Sequence, residues 1–288
     1  MPELAEVEST RQHLEHILRG QKIKEVTVDA SDRYLYAFAT ARDVQQALRG
    51  AKIIGSGRKG KYFWLKLDRK PWPMIHLGMT GRLNILFPKK KKVPKIFSHS
   101  LTVQKVGDGS EPARMWFCRF LLKMQDGTEV ALLDPRRFGR IWLTDNPENH
   151  PRIKKLGFDP LVDFPTAKIL FDKIHRRRIA IKAILMDQGL FAGVGNYLAD
   201  EILFQAKMSP HRLGSELKPA DVVKLRKFVL AVIKKAVALD ANYEKFPKSW
   251  LFHYRWGKSK KAQTAAGQKI IHDEIGGRTT AWVPTVQN

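Results

Sequence analysis

The chain opens Met1-Pro2-Glu3, and a proline in second place can do unusual chemistry. A methionine followed by a small residue is normally trimmed after synthesis, and removal of Met1 would leave Pro2 with a free secondary amine. A primary amine condenses with an aldehyde to an imine that can be neutral. A secondary amine gives only an iminium, which stays cationic until it hydrolyses. Such a cation beside a sugar carbon is an electron sink that eases elimination at the neighbouring carbons, which is covalent amine catalysis of the Schiff-base kind. An α-amino group titrates at about 8, so a neutral fraction exists at physiological pH. The plainer alternative is an ordinary chain start capped by acids.

These residues need an element to hold them. Leu4, Val7, Leu14, Ile17 and Leu18 recur at helical spacing, so Pro2 or Glu3 starts a helix. Proline suits a first helical turn because its ring sets φ and no N–H is needed there. The positive end of the helix dipole then disfavours protonation of the amine, whereas Glu3 and Glu6 favour it. Behind this helix, β-rich runs occupy Ile23–Val28, Lys52–Ser56, Tyr62–Leu67, Arg82–Phe87, Ser100–Val106, Met115–Met124 and Glu129–Leu133. Many short strands in one half of a chain predict a β-sandwich or barrel. Asn146–Pro151 reads as the start of a linker. Helices follow, with Val222, Leu225, Val229, Val232 and Ala236 on one apolar face and Lys224, Lys227, Lys234 and Lys235 outside it. The tail contains β-like stretches at Lys269–His272 and Thr279–Val283, with Gly276-Gly277 as a hairpin turn between them.

Composition narrows the partners. The chain has 288 residues, 52 Lys and Arg against 28 Asp and Glu, a net charge of +24 and a pI near 10.2. A folded chain this basic most often meets a polyanion, with nucleic acid first, then the ribosome, then an anionic membrane surface. No run reaches the roughly 18 apolar residues of a membrane span, and the acidic amphipathic start is not a secretory signal. The single cysteine, Cys118, excludes an intrachain disulfide and reads as a core filler in a reducing compartment. The run Pro88–Lys95, with lysines at 89–92 and 95, reads as a solvated loop, a nuclear import signal or a DNA-backbone contact.

Five further signals carry chemistry: Arg58–Trp64 with Lys61 at a strand mouth, the glycine-flanked loop His76–Leu83 with Met79, the turn Asp134–Gly139, the Gly193-Val194-Gly195-Asn196 junction between helical segments Ile181–Gln188 and Tyr197–Lys207, and Gly277–Thr280. A base inside a duplex must be flipped out before its glycosidic carbon can be attacked, and the hole left behind should be filled. Met79, Arg136 and Phe138 have the shapes for that: an apolar plug, a planar hydrogen-bonding cation and an aromatic wedge. Gly193–Asn196 can offer backbone N–H groups to a phosphate near a helix start, and Lys61, Arg137 and Arg278 can clamp phosphates. Each signal alone has a plain reading, as loop filler, core or surface.

In this order they resemble the formamidopyrimidine-DNA glycosylase and endonuclease VIII family of base-excision repair enzymes. The resemblance is carried by Pro2–Glu8, the Lys61 strand, the Met79 loop, Asp134–Gly139, and Ile181-Lys182 through Asn196–Glu201, and spans nearly the whole chain. It is closer to the formamidopyrimidine branch, because the start reads Pro-Glu-Leu and the Arg-Arg-Phe turn is present. The resemblance implies an α+β fold: an N-terminal helix and β-sandwich over 1–146, a linker over 147–163, a helix–two-turn–helix domain over 164–256 and a finger hairpin over 257–288. It also implies roles. Pro2 attacks C1′ of the damaged nucleotide, Glu3 handles proton transfer at the sugar, and Glu6 supports the base pocket. Lys61 holds a phosphate beside the lesion. Met79, Arg136 and Phe138 fill the vacated stack, with Arg136 facing the orphaned base. Arg137, Lys182, Asn196 and Arg278 bind phosphates. β- then δ-elimination from the iminium then nicks the strand.

Two departures stand out. Ala5 replaces the proline that usually follows Pro-Glu-Leu, with little consequence expected from a good helix former. Many members end in a four-cysteine zinc finger, which one cysteine cannot build. The tail Gly276–Pro284 instead resembles the zincless finger of plant and fungal members, so no zinc or other cofactor is expected, and Trp282 is a candidate for replacing the metal by packing. His253 and His272 read as surface or core residues rather than ligands. The segment from Ala238 to Gly267 looks short for the loop that covers 8-oxoguanine in bacterial members, which points to formamidopyrimidines and hydantoins. The expected partner is damaged double-stranded DNA, met by a monomer, and the lysine run suggests the nucleus. A non-catalytic nucleic-acid binder and a single-strand-preferring glycosylase of the endonuclease VIII type are the competing readings. The Pro2–Glu3 pair argues against the first and the wedge triad against the second.

Overall fold

The computed structural model describes residues 1–94, 96, 98–105, 117–257 and 261–288. Lys95 of the lysine run, Val106 and Met115-Trp116 at the ends of two expected strands, and residues 258–260 of the tail lie outside them. The chain divides into two compact units, Met1–Lys154 with Asp240–Tyr243, and Lys155–Leu239 with Glu244–Asn288.

The first unit begins with α1 (Leu4–Leu18). Its N-cap is Glu3, in extended backbone, and the Glu6 carboxylate accepts the Glu3 N–H at 2.8 Å. Pro2 therefore lies one residue before the cap rather than inside the first turn. The acid three positions into the helix sets that start by satisfying an N–H that the helix leaves unpaired. Leu4, Val7, Leu14 and Leu18 are fully buried.

Two sheets follow. One is ordered β1-β7-β8-β5-β6, from β1 (Ile23–Val28), β5 (Arg82–Phe87), β6 (Leu101–Lys105), β7 (Cys118–Met124) and β8 (Glu129–Leu133). The other is ordered β2-β3-β4-β9, from β2 (Ile53–Lys59), β3 (Tyr62–Leu67), β4 (Trp72–His76) and β9 (Arg140–Thr144). All neighbours are antiparallel except β5 and β6. Period-two alternation gives each strand two faces. Phe63, Leu65, Ile75 and Ile141 turn to a shared core with Leu83, Ile85, Phe120, Leu122, Val130 and Leu132 of the first sheet. Tyr62, Trp64, Met74, His76 and Trp142 take the opposite face, where Tyr62 pairs with His76 and Met74 with Trp142.

Three elements of this unit escape the sequence reading. In β4, Pro73 hides the strand, because proline removes a ladder donor and argues against an interior strand. β9 follows a turn-rich stretch and is only five residues long. α2 (Ala41–Leu48) is short and mostly polar, but Thr40 caps it by accepting the Asp43 N–H at 3.1 Å.

The second unit is helical: α4 (Ala167–Ile174), α5 (Ile181–Met186), α6 (Asn196–Gln205) and α7 (Pro219–Ala238), with the hairpin β10 (Ile271–Ile275) and β11 (Arg278–Trp282). The expected linker over 147–163 is not loose chain. It contains a 3₁₀ turn at Pro147–Asn149 and the one-turn helix α3 (Pro151–Lys154), whose Ile153 is buried. The boundary between the units falls inside it, at Lys154. A buried apolar side chain and a turn capped by Asn146 order the segment. The finger is part of the second unit, where Ile270, Ala281 and Val283 pack on Leu251.

Candidate active site and nucleic-acid interface

In the first unit, the helix start buries its acids. Pro2, Glu3 and Glu6 are all buried, while Met1 is half exposed. With Met1 attached, the Pro2 nitrogen is an amide, so nucleophilic use of it requires loss of that residue. Charge networks fasten α1 to the strand that leads to Lys61. Arg58 donates from Nε to Glu8 at 2.7 Å and from a terminal nitrogen to the Gly60 carbonyl at 2.9 Å. Arg11 grips the same Glu8 and, one turn on, Glu15, whose carboxylate also takes the Ser56 hydroxyl. Burial would raise the Glu8 carboxyl, but the Arg11 hydrogen bond and the Arg58 charge hold it below its ordinary range. Gly60 and Lys61 form the two-residue turn between β2 and β3, with Gly60 at φ +57°. Lys61 is largely buried.

His76, which by sequence falls in the glycine-flanked loop, ends β4 beside Lys61. It pairs with Tyr62 across β3 and β4, and its ring lies 4.8 Å from that of Tyr62. Burial, then the positive charges of Lys61, Arg140 and Arg152, lower its pKa to about 4. Its Nδ1 accepts the Gly78 N–H at 3.0 Å, so the proton of the neutral ring sits on Nε2. A neutral N–H donor next to a lysine is a fitting partner for a phosphate oxygen. The only hint in the sequence is its place directly before the Leu77-Gly78-Met79 stretch.

Asp134 joins the two loops that carry the expected void-filling residues. Its buried carboxylate accepts the Thr80 hydroxyl at 2.8 Å and the Gly139 N–H at 2.6 Å. Gly78, at φ +65°, lies so close to the second loop that a Cβ there would come within 2.4 Å of the Phe138 carbonyl carbon. The result is an exposed pair of apolar side chains, Met79 at 40% and Phe138 at 41% of full exposure. Arg136 is exposed as well and lies over the Phe138 ring at 4.8 Å. Arg137 adopts φ +56°, uncommon for a side-chain-bearing residue, and Arg140 holds its carbonyl at 2.9 Å. The structure thus brings Met79, Arg136, Arg137 and Phe138 into one construction.

In the second unit, Lys182 departs from its expected place at a phosphate. It is fully buried, with its ammonium on the Asn196 carbonyl at 2.7 Å and on the Asp200 carboxylate. Asp200 also receives Arg255 at 2.5 Å and the Ala281 N–H at 3.2 Å. A buried ammonium needs such partners to offset its lost hydration. In this place Lys182 fastens α5 to the start of α6 from a fully buried position. Asn196 stands at the first position of α6 and donates from Nδ2 to the Thr279 carbonyl at 2.9 Å. Gln188 laces the glycine junction, accepting the Gly193 N–H at 2.9 Å and donating to the Val194 carbonyl at 2.7 Å, so at least one of the loop's N–H groups is committed internally. Arg278 is exposed just after Gly276-Gly277, both at positive φ, the conformation a two-residue hairpin turn demands.

Trp282 donates its indole N–H to Asp273 at 2.7 Å, and His211 contacts the same carboxylate at 2.8 Å and the Trp282 ring. His253 and His272 each meet a backbone carbonyl, of Phe246 and Arg255. Among the described residues no group of three or more His, Cys, Asp or Glu is arranged to hold a metal, and no helix is long and apolar enough to cross a membrane.

Comparison with known proteins accounts for both units. Residues 1–141 match the formamidopyrimidine-DNA glycosylase N-terminal domain, and residues 156–247 match the H2TH domain of the same enzymes. Formamidopyrimidine-DNA glycosylase of Arabidopsis thaliana is 36% identical over 288 residues, which cover all of this chain and 71% of that protein. The enzyme of the same name from Pelobacter propionicus is 29% identical over the full length of both. The fold is that of Lactococcus lactis formamidopyrimidine-DNA glycosylase bound to DNA containing an abasic site, with a TM-score of 0.79 at 24% identity over 99% of each chain. MutM in complex with DNA containing carbocyclic 8-oxo-G aligns with a TM-score of 0.79 at 25% identity over the whole of both chains.

Proposed function

From the premise that this chain belongs to the formamidopyrimidine-DNA glycosylase family of base-excision repair, DNA glycosylases with AP lyase activity, we propose that it excises oxidised purines from duplex DNA through an iminium on Pro2. After loss of Met1, the Pro2 amine attacks C1′ of the extruded nucleotide and the base departs. The iminium then acidifies the neighbouring sugar carbon, and β- then δ-elimination breaks the strand on both sides. Glu3, next to the amine in sequence and buried, is the group for proton transfer at the sugar, and Glu6 helps to form the pocket.

The observation that carries this reading is the Asp134 junction. Leaving a methionine and a phenylalanine about two-fifths exposed on two joined loops forfeits a corresponding part of the roughly 1.5–3 kcal/mol that full burial of each would contribute. That arrangement makes sense where a base stack supplies the missing burial. Lys61 and His76 in the first unit, and Asn196 and Arg278 in the second, are suited to hold phosphates. Lys182 acts by positioning Asn196. We further propose that the finger works without zinc, through the packing of Ile270, Ala281 and Val283 and the Trp282–Asp273–His211 cluster. The short segment between Ala238 and Gly267 favours formamidopyrimidines and hydantoins over 8-oxoguanine. Strong preference for 8-oxoguanine over guanidinohydantoin in side-by-side excision would refute that last point.

The test of the chemistry is borohydride trapping on a duplex with one oxidised guanine or abasic site, comparing native protein with Pro2→Gly. A crosslink that maps to Pro2 and is lost or sharply weakened in the variant supports the covalent mechanism. Tight binding with no crosslink in the native protein would reduce the chain to a DNA binder.

A further inference from the structure

The loop between β1 and α2 holds two aromatic side chains in solvent by unusual means. Tyr34 is 59% and Phe38 is 52% exposed. Neither hangs from loose chain. Asp32, buried, accepts the N–H groups of Tyr34 and Leu35 at 3.0 Å each. Asp29 takes Arg119 at 2.8 Å, the Tyr36 hydroxyl donates to the Arg119 carbonyl at 2.9 Å, and Leu35 accepts the Ile141 N–H from β9 at 2.9 Å. Leu35 and Tyr36 are the loop's buried apolar side chains, beside the buried Asp32.

Each exposed ring is also backed by an arginine. Arg140 lies over Tyr34 at 5.8 Å. Phe38 stacks on the buried Trp142 with centroids 5.3 Å apart and planes 16° from parallel, and Arg152 sits 4.8 Å from the Phe38 ring and 5.2 Å from the Trp142 ring. An apolar ring shown to solvent beside a guanidinium is the pairing that single-stranded nucleic acid uses, with base faces on the rings and phosphates on the cations. The lesion chemistry proposed above gives the two rings no role, although Arg140 also braces the Arg137 turn and both arginines act on His76.

We propose that Tyr34 and Phe38 form a second, lesion-independent contact that takes unstacked bases of single-stranded DNA. In a duplex each base face is covered by its neighbours, so only an unpaired stretch can offer one. The excess positive charge of the chain, +24, supplies the long-range attraction, and the pre-set loop lowers the ordering cost of capture. The proposal rests on reading the chain as a DNA-binding enzyme, but not on the Pro2 chemistry.

Its test uses undamaged DNA. Binding of the full chain to a thymidine decamer is compared, by fluorescence anisotropy, with binding to a strand of the same length built from propanediol phosphate units, which carry neither a base nor the sugar ring that the lesion site would take. Both strands carry the same phosphates, so the ratio of affinities isolates stacking. A ratio of about 5 or more is expected, since a stacked base contributes at least ~1 kcal/mol. Phe38→Leu, which keeps apolar cover on Trp142, should bring the ratio toward one, further so when combined with Tyr34→Leu, while Phe38→Trp should keep it. Thermal unfolding verifies that each variant is folded. A native ratio near one, or a ratio unchanged in the double leucine variant, overturns the proposal. Failure of borohydride trapping would remove the Pro2 mechanism and leave this comparison readable.

Discussion

Asp134 and His76 are residues whose work is invisible until their neighbours are known. Asp134 receives donors from two loops, and hydrogen bonds to a charged acceptor contribute about 1.5–3 kcal/mol each. Asp134→Ala should therefore lower unfolding stability by about 3 kcal/mol in urea titration. It should also cut cleavage of lesion-bearing duplex at least ~10-fold, because Met79 and the Arg136–Phe138 turn lose their common anchor. Borohydride trapping on a short single-stranded abasic oligonucleotide, which has no stack to fill, should be much less affected. Equal losses on both substrates would show that the residue is merely structural. His76 predicts a pH dependence. Its folded pKa is about 4, below the ordinary 6.5, so between those values the unfolded chain binds the extra proton. Its contribution to stability is complete above pH 6.5 and falls away as pH drops toward 4. Unfolding free energies at pH 7 and 5 should differ less in His76→Gln than in the native protein, after correction for the shared carboxylate titration.

At the scale of elements, the buried Lys182–Asp200–Arg255 cluster joins α5, α6 and the finger strand β11. Orphaning a buried charge costs about 3–5 kcal/mol, but Asp200 keeps Arg255 and the Ala281 N–H when Lys182 is lost. Lys182→Met should therefore lower stability by less than that in denaturant titration. DNA affinity should then fall through loss of the α6 start, so the salt dependence of the residual binding should keep the native slope. A slope reduced by one phosphate contact would restore Lys182 as a direct ligand. The loop junction offers a second element test. Gly78→Ala places a methyl against the Phe138 carbonyl at a positive φ, and should separate the two loops and depress lesion cleavage as strongly as Asp134→Ala.

For the molecule as a whole, charge and metal independence are the testable properties. Binding to DNA releases about 0.9 counterion per neutralised phosphate, so the affinity should fall steeply with salt, and Arg137→Ala should reduce the logarithmic slope by about one contact. Measuring the slope by anisotropy over a salt series decides it. Prolonged treatment with a strong zinc chelator should leave both the melting temperature and lesion cleavage unchanged, and elemental analysis should find no stoichiometric zinc. Activity that chelation abolishes and zinc restores would overturn the zincless reading.

Local pattern was enough for part of this. The spacing of Leu4, Val7, Leu14 and Leu18 marks α1, β-rich runs punctuated by Gly, Pro and Asp mark β1, β3, β5 and β8, and the paired glycines mark the finger turn, because each depends on neighbours within a few residues. Pro2-Glu3, Met79 and Arg136–Phe138 announce themselves by chemical type and order. Folding in three dimensions decided what depends on distant partners. β4 exists because β3 and β9 flank it despite Pro73, and the segment after Asn146 is ordered by burial of Ile153. Lys182 turned inward because Asp200, eighteen residues on, was there to receive it. His76 and Asp134 acquired their roles only when the sheet brought Lys61 to one and two loops to the other. A sequence records which groups are available, but burial and pairing choose which of them meet the ligand.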